Sequence, residues 1–274
     1  MAESTGVKAY YDTLPPDAIS DELAPVIAEL GLEENCRALA VDGWTVIEGA
    51  ATAEFNDRLR ETILKISGGF PGANMLLAKD PVFAEAILNP NLLAMAEYSV
   101  GRGFLISQVA ASVRQKGAKS IGLHADNNWL PAPFPAHNML LTACWACDEY
   151  TRENGATLII PGSNTFHRHP DSKEIAESAG AIAIECPAGS VAMWDGNIWH
   201  SNWPRETEGE RVVCHITYTR LMMRPVEDYG QYAEELIQAN GDRMAQLLGK
   251  QDFLAGPNGA EYDKLLNTFN NAKR

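Results

Sequence analysis

Apolar residues in the first hundred positions recur mainly with the period of an α-helix. Between residues 17 and 32 they appear every three or four positions, which predicts an amphipathic helix. The same spacing predicts helices over 51–66, with Thr52 as its N-cap, and over 80–100, with an interruption near Pro90. The first third of the chain is therefore expected to be largely helical.

The pattern changes near Gly101, where short apolar runs separated by turn signals begin. Glu153-Asn154-Gly155 and Pro161-Gly162-Ser163 are two such turn signals. Many short strands after a helical first third predict a β-sandwich or barrel supported by helices. The predicted strands are 39–48, 104–114, 120–125, 138–147, 156–161, 181–186, 190–195 and 211–221.

No segment has the composition of an interdomain linker, so we expect one domain over residues 1–274. Its predicted parts are a loose arm at 1–16, a helical buttress at 17–100, a β core at 101–224 and C-terminal helices at 225–274. The apolar residues of the last part again follow helical spacing.

Composition and charge limit the classes of partner. A net charge of −14 repels phosphate backbones and anionic lipid, so neither nucleic acid nor a membrane is expected as a partner. No run of about 18 apolar residues predicts a membrane span, and residues 1–8 lack an apolar signal core. We expect a small-molecule substrate and a monomer or homodimer.

Five cysteines are spread widely along the chain, which is typical of reduced thiols in a cytoplasmic protein. Cys144 and Cys147 form a C-x-x-C pair, a spacing that also occurs in zinc and redox sites. The pair lies inside the apolar run 139–147, and residues three apart on a strand point to opposite faces. We therefore favour two structural thiols over a metal or redox site.

His124-Ala125-Asp126, followed far downstream by His200 and Arg211, is the pattern that carries most chemistry. On a strand, His124 and Asp126 point to one face, and His200 ends a second apolar run, so three side chains can reach one ion inside a barrel. Two histidines and one carboxylate can hold iron(II) and leave its opposite side open. Arg211 follows a polar connection, 201–210, predicted as a long hairpin loop, and can grip the far carboxylate of a 2-oxoacid.

These residues leave three alternatives open. In the first, the histidines are ordinary surface or core residues and Arg211 pairs with a glutamate. In the second, the protein is a cupin-type zinc hydrolase or isomerase that uses the same three ligands. In the third, it is a non-catalytic barrel that binds a ligand or partner. A hydrolase needs no clamp for a 2-oxoacid, which speaks against the second. Two imidazoles and a carboxylate are costly to bury together without a metal, which speaks against the third.

Candidate substrate contacts surround the metal motif. Trp129 and Phe134 follow it in an apolar segment that forms either a lid over the metal or a packed loop beneath the barrel rim. By strand parity, Trp194 points to the same face as His200, and His215 points to the same face as Arg211. For His215 a hydrogen-bonded structural role is the favoured interpretation. A lid of this composition favours a substrate that is at least partly apolar.

The chain resembles the phytanoyl-CoA dioxygenase family of Fe(II)/2-oxoglutarate-dependent oxygenases over about residues 43–221. The likeness rests on His124-x-Asp126, on Trp145 in the following strand, and on His200 followed eleven residues later by Arg211. Its most specific part is Glu153-Asn-Gly-Ala-Thr-Leu-Ile-Ile-Pro-Gly-Ser163.

The resemblance implies a mainly β protein with a double-stranded β-helix core, that is, a jelly roll of cupin type, and flanking helices. It implies Fe(II), 2-oxoglutarate and O2 as cofactor and cosubstrates, with ascorbate as a helpful addition. The implied reaction is hydroxylation or another oxidation of a C–H bond, coupled to conversion of 2-oxoglutarate to succinate. The implied site residues are His124, Asp126 and His200 for catalysis and iron, and Arg211, Thr157 and Trp145 for the cosubstrate.

Overall fold

A computed structural model describes residues 17–250, and its centre consists of two antiparallel sheets. The strands in chain order are β1 (Trp44–Ile47), β2 (Gly72–Ala73), β3 (Leu105–Gln115), β4 (Leu140–Ala146), β5 (Thr157–Ile159), β6 (Ile182–Ala183), β7 (Val191–Asp195), β8 (His200–Asn202) and β9 (Glu210–Thr219). The larger sheet has the order β1-β7-β4-β9-β3-β2, and the smaller has the order β6-β5-β8. Antiparallel sheets with flanking helices confirm the predicted fold class.

Most of the helices within residues 17–250 precede the long strand β3. In chain order they are α1 (Ala24–Leu30), α2 (Glu33–Asp42), α3 (Ala53–Ser67), α4 (Pro81–Ile87), α5 (Pro90–Val100), α6 (Ser172–Glu177), α7 (Ala233–Asn240) and α8 (Asp242–Leu247). Thr52 caps α3 as predicted, since its hydroxyl accepts a hydrogen bond from the backbone N–H of Phe55 at 3.2 Å. The helix predicted over 80–100 divides at Asn89, and Pro90 begins α5.

Three predictions from periodicity were wrong in part. The helix expected over 17–32 is confined to Ala24–Leu30, and a second helix occupies the first part of the strand expected over 39–48. Gly43, at φ 80°, ends this second helix, so β1 begins only at Trp44. The strand expected over 120–125 is reduced to a single bridge between His124 and His200.

Helices cover the outer face of the larger sheet. Outward side chains of β3, β4 and β9 alternate with inward ones, and they share one apolar core with the helices. Phe104 and Tyr218 meet edge to face there, with ring centroids 5.5 Å apart. The smaller sheet therefore faces the inner side of the larger one. Core residues of this outer layer include Leu59, Phe83, Leu92, Val109, Trp145, Val212, Cys214, Ile216 and Tyr218.

The segment after β9 returns to the larger sheet and is fixed there by a buried carboxylate. Glu227 accepts hydrogen bonds from the backbone N–H groups of Met75 at 2.7 Å and Val109 at 2.8 Å, and from the Tyr229 hydroxyl. Helices α7 and α8 follow, as expected for this region. The predicted arm at 1–16 and the helical residues expected after 250 lie outside the described residues. Within 17–250, no helix has the length and apolar character that crossing a bilayer requires.

Candidate active site

Three potential metal ligands converge between the two sheets. His124 pairs with His200 at the edge of the smaller sheet, and Asp126 lies in the bend that follows. Asp126 Oδ1 lies 3.4 Å from His200 Nε2 and 3.8 Å from His124 Nε2. One ligand atom from each residue falls within 4.8 Å of the other two. The predicted triad is thus assembled around one point.

Asp126 is oriented by the larger sheet. Its Oδ2 accepts hydrogen bonds from the Thr142 hydroxyl at 2.7 Å and from the Trp194 indole N–H at 3.1 Å. These two donors leave Oδ1 turned toward the histidines. Burial raises the pKa of Asp126, but the two imidazoles and the two hydrogen bonds together lower it below its ordinary value, so the carboxylate is ionised.

Both histidines direct Nε2 toward Asp126 because Nδ1 is engaged on the other side of each ring. His124 Nδ1 lies 2.8 Å from the carbonyl oxygen of Gly122, and His200 Nδ1 lies 3.2 Å from that of Ile198. An Nδ1–H that donates to a carbonyl leaves the Nε2 lone pair available to a metal. Burial lowers the pKa of His200, which favours the neutral imidazole that metal binding requires. This donor set fits iron(II).

The triad borders a cavity of ≈ 500 Å³, and Arg211 lies along the same cavity. Thr217 pairs with Thr142, and Arg211 lies six residues earlier on β9. Arg211 is 2% exposed, its Cζ lies 5.0 Å from the ring centroid of Tyr150, and its Nε has no hydrogen-bond partner among the described residues. Since a buried unpaired donor is costly, this guanidinium fits a carboxylate ligand.

The Glu-Asn-Gly-Ala-Thr segment explains how Arg211 and Thr157 come together. Gly155 has φ 77°, and a Cβ there would lie 3.0 Å from the carbonyl oxygen of Trp203. Asn154 Oδ1 accepts hydrogen bonds from Arg205 at 3.1 Å and from the Thr207 hydroxyl. The turn therefore anchors the connection that leads into β9.

That connection is not the predicted hairpin. His200–Asn202 form β8 of the smaller sheet and pair with β5, whereas Glu210–Thr219 form β9 of the larger sheet. Residues 203–209 cross from one sheet to the other. Arg211 reaches the cavity because the two sheets face each other, rather than because its strand lies beside that of His200.

Four further predicted residues line the cavity. Thr157 is buried, and its Oγ1 lies 2.7 Å from the Tyr150 hydroxyl. Trp129 is 71% exposed at the mouth. His215 Nε2 lies 3.1 Å from Ser112 Oγ. Trp194 also lines the cavity. The predicted reason, a face shared with His200 along one strand, was wrong, because a turn separates β7 from β8 and the two strands belong to different sheets.

Two predicted residues do not reach the cavity. Trp145 is 1% exposed on the outer face of the larger sheet, where its ring centroid lies 5.2 Å from that of Phe55. Phe134 is buried beneath the smaller sheet with Trp199 and meets His169 edge to face at 4.8 Å. Trp145 lies three positions after the inward Thr142, so the alternation of the strand turns it outward. The packed-loop alternative therefore describes Phe134, and the structure does not bring Trp145 to the cosubstrate.

The cysteine interpretation is consistent with the same alternation. Cys144 belongs to the apolar cluster between the sheets and Cys147 to the helix-covered core. All five cysteines are buried free thiols. Burial raises the pKa of Cys144 to about 11, which keeps this thiol protonated and unreactive.

Sequence reasoning missed three side chains with a place in the site. Tyr150 lies under Arg211, Thr142 holds Asp126, and Arg114 lines the cavity from β3. Two of them carried a usable signal. Thr142 is a polar residue inside the apolar run 139–147, and Arg114 shares strand parity with the polar Gln108 and Ser112.

The model of the phytanoyl-CoA dioxygenase (PhyH) family matches residues 39–213, well over half of the chain. The chain belongs to this family, and it is an oxidoreductase of the Fe(II)/2-oxoglutarate-dependent dioxygenase class. The triad and the arginine are the residues of this chain that fit the metal and the cosubstrate.

One relative carries the name of a dioxygenase, and a second is similar over most of its own length. "Dioxygenase af480" of Aspergillus fumigatus is 31% identical over 172 residues, which are 62% of this chain and 55% of that protein's length. "Uncharacterized protein Rv1501" of Mycobacterium tuberculosis is 25% identical over 238 residues, which cover 80% of this chain and 86% of that protein.

Two solved structures show the same double-stranded β-helix fold. HygX from Streptomyces hygroscopicus, with nickel and 2-oxoglutarate bound, has a TM-score of 0.59 at 18% identity. The match covers 76% of this chain and 90% of the HygX chain. The non-heme alpha ketoglutarate dependent epimerase SnoN from nogalamycin biosynthesis has a TM-score of 0.61 at 17% identity. The match covers 72% of this chain and 87% of the SnoN chain.

Proposed function

We propose that the protein hydroxylates a C–H bond of a small, partly apolar organic molecule and couples this to decarboxylation of 2-oxoglutarate to succinate. One observation carries the proposal. A cluster of two imidazoles and one carboxylate shares a cavity of ≈ 500 Å³ with a buried arginine whose Nε has no partner among the described residues. A metal-dependent hydrolase has no use for that arginine.

His124, Asp126 and His200 would hold the iron, which when bound supplies the oxidation of the C–H bond by O2 and 2-oxoglutarate. All three ligands come from the side of the smaller sheet and its adjoining loop. Thr142 and Trp194 keep Asp126 in one orientation from the opposite sheet. The protein therefore fixes the ligands before the metal arrives, which favours binding.

Arg211 would bind the far carboxylate of 2-oxoglutarate through two parallel N–H donors. Tyr150 stacks under the guanidinium and limits its rotation. Burial raises the pKa of Tyr150, so its hydroxyl stays protonated and shares a hydrogen bond with Thr157. One hydroxyl of this pair remains able to donate to the carboxylate beside Arg211.

The substrate would enter past the mouth of the cavity. Ile121, Trp129 and Val226 line it there, and each is at least 49% exposed. Apolar side chains gathered at an open site favour an apolar body in the ligand and exclude water once it is bound. This arrangement supports the partly apolar substrate.

The reaction is tested by incubating the protein with Fe(II), 2-oxoglutarate, O2, ascorbate and a panel of small apolar acids and neutral compounds. The proposal expects substrate-dependent succinate release, equimolar with a product heavier by one oxygen atom. Because SnoN is an epimerase of similar fold, product mass is the deciding readout. Succinate release with a product of unchanged mass would contradict hydroxylation, and no succinate with any compound would contradict the oxygenase reaction.

A further inference from the structure

Two arginines face each other inside the cavity. Arg114 on β3 is the direct partner of Arg211 on β9, and both line the cavity. Like charges directly opposite on neighbouring strands destabilise the pair. Burial, followed by the charge of Arg211, lowers the pKa of Arg114. An anion bound beside the two guanidinium groups would offset this repulsion.

The described chain supplies no anion for either arginine. None of the ion pairs within 17–250 includes Arg114 or Arg211. Among the described residues, the guanidinium of Arg114 donates only to the carbonyl oxygen of Lys119, at the long distances of 3.3 and 3.4 Å. Its donors are therefore poorly satisfied and remain available to a ligand.

The charges of the loaded cavity do not balance without a further anion. Within residues 17–250, Asp126 is the one carboxylate that lines the cavity, and the two arginines are the permanent cations that line it. His215 is neutral near pH 7, because burial and the charge of Arg211 lower its pKa to about 4. The two charges of iron(II) offset those of the 2-oxoglutarate dianion, and Asp126 offsets one arginine. One positive charge remains.

The position of Arg114 separates it from the cosubstrate clamp. Arg211 is 2% exposed and is stacked on Tyr150, whereas Arg114 is only partly buried. Arg114 also contacts Lys119, in the loop that carries the exposed Ile121 at the cavity mouth. The second arginine therefore lies on the side from which a substrate enters.

We propose that Arg114 is a substrate-binding residue that holds one singly charged anionic group of the substrate, a carboxylate. The substrate class is then a small monoacid with an apolar body, in which the acid faces Arg114 and the apolar part lies against Ile121 and Trp129, which line the same cavity. This inference rests on the proposed function, because the charge balance assumes that iron(II) and 2-oxoglutarate occupy the cavity.

A matched pair of probes tests the inference without turnover. Protein loaded with nickel(II) and 2-oxoglutarate is titrated with 4-phenylbutanoate and with the corresponding primary amide in a calorimeter. Wild type should bind the acid about 10- to 100-fold more tightly than the amide, the range of a hydrogen bond to a charged group. Equal affinities, or no binding of the acid under conditions that saturate the protein with cosubstrate, would overturn the inference.

Two variants locate the effect. Arg114→Gln should bind acid and amide with equal affinity. Lys116→Gln removes the same charge two residues away, from an exposed side chain paired with Glu208, and should keep the preference of wild type. If Lys116→Gln loses the preference as well, the general charge of the protein is responsible, and Arg114 is not the binding residue.

Cosubstrate binding separates this inference from the proposed function. Arg114→Gln should bind 2-oxoglutarate as wild type does, and Arg211→Gln should not. Loss of 2-oxoglutarate binding in Arg114→Gln would place Arg114 in the cosubstrate clamp and overturn the inference. Failure of wild type to bind 2-oxoglutarate would overturn the proposed function itself, whereas normal cosubstrate binding without acid preference would overturn only the role of Arg114.

The repulsion between the arginines has a readout that needs no ligand. In metal-free protein at low ionic strength, Arg114→Gln should have a higher Tm than either wild type or Lys116→Gln. Added salt should reduce this difference because it screens the two charges. A difference that does not respond to salt would contradict repulsion across the strand pair.

Discussion

The two faces of the larger sheet have different tasks, although the same strands supply both. On β9, the outward Val212, Cys214, Ile216 and Tyr218 are fully buried under the helices, whereas the inward Arg211, His215 and Thr217 line the cavity. Neighbouring residues on a strand point to opposite faces, so a slip of one residue would exchange the two sets. Packing on the outer face thereby fixes the register that places the site.

This division separates two kinds of substitution. Removing volume from the outer face should reduce the free energy of unfolding and leave ligand binding in the folded molecules unchanged. Removing a polar group from the inner face should change binding or titration and have a smaller effect on stability. An outer-face variant that changes ligand binding, or an inner-face variant that mainly changes the free energy of unfolding, would contradict this division.

Trp145→Ala carries the largest expected effect on stability. The side chain is 1% exposed against Phe55, so its loss should reduce the free energy of unfolding by about 3–5 kcal/mol, measured by urea denaturation. The 2-oxoglutarate KM of the remaining folded protein should equal that of wild type. A raised KM for 2-oxoglutarate with little loss of stability would show that Trp145 does contact the cosubstrate.

Thr142→Val tests the inner face at the metal. The variant keeps the shape of the side chain but removes the 2.7 Å hydrogen bond to Asp126 Oδ2. Iron(II) affinity should fall by about 10- to 100-fold, as for other partners of metal ligands. Thr142→Ser retains the hydroxyl and serves as the control. Equal affinities of the Val and Ser variants, measured by competition with a chelator, would show that the hydroxyl has no role.

His215→Gln tests the electrostatics of the inner face. Burial and the charges of Arg211, His200 and Arg114 lower the pKa of His215 to about 4, against the opposing effect of Asp126. In the unfolded chain His215 takes up a proton near pH 6.5, whereas in the folded protein it does so only near pH 4. The free energy of unfolding of wild type should therefore fall as pH decreases from about 6.5 to about 4. Since the imidazole borders the cavity, where solvent screens it, we expect a loss of the order of 1–2 kcal/mol.

The comparison with the variant isolates this histidine. Asp195, whose pKa burial raises to about 7, contributes stability that is lost as pH rises, which is the opposite trend. Subtracting the pH profile of metal-free His215→Gln from that of metal-free wild type removes the contribution of Asp195. A difference profile that is flat between pH 4 and pH 6.5 would contradict the neutral His215.

Trp129→Ala should have the smallest effect on stability. The side chain is 71% exposed, so the free energy of unfolding should change by less than about 0.5 kcal/mol. Affinity for an aromatic acid should fall roughly 3- to 10-fold, because an aromatic contact contributes about 0.5–1.5 kcal/mol. Met222→Ala is a matched control, 82% exposed and absent from the cavity lining. Equal affinities of the two variants for the aromatic acid would show that Trp129 does not contact the substrate.

The convergence of the candidate triad was predictable in part because two of its members lie in one short local pattern, whereas Arg211 reaches the cavity by a route other than the predicted hairpin. The spacing His124-x-Asp126 brings two ligands together within three residues, and His200 and Arg211 fall in apolar runs of the core. The helix boundary at Pro90 and the Thr52 cap were predictable for the same reason, since their signals are local backbone chemistry.

Contacts across the sheets were not predictable from local patterns. The turn after β7 places Trp194 and His200 on different sheets, and the crossing segment 203–209 replaces the expected hairpin. Trp145 was assigned to the cosubstrate by resemblance, although its odd spacing from Thr142 already turned it to the other face. Arg114 became visible only through its pairing with Arg211, which requires the register of β3 against β9.

The iron and cosubstrate site is tested most directly by an anaerobic titration of metal-free protein with Fe(II) and then 2-oxoglutarate, followed by visible absorption. We expect a weak charge-transfer band from the chelated 2-oxoacid in wild type. The band should be lost in His200→Ala and should appear in Arg211→Gln only at much higher 2-oxoglutarate. Tight metal binding by wild type without the band would contradict the cosubstrate site and favour a hydrolase or isomerase using the same three ligands.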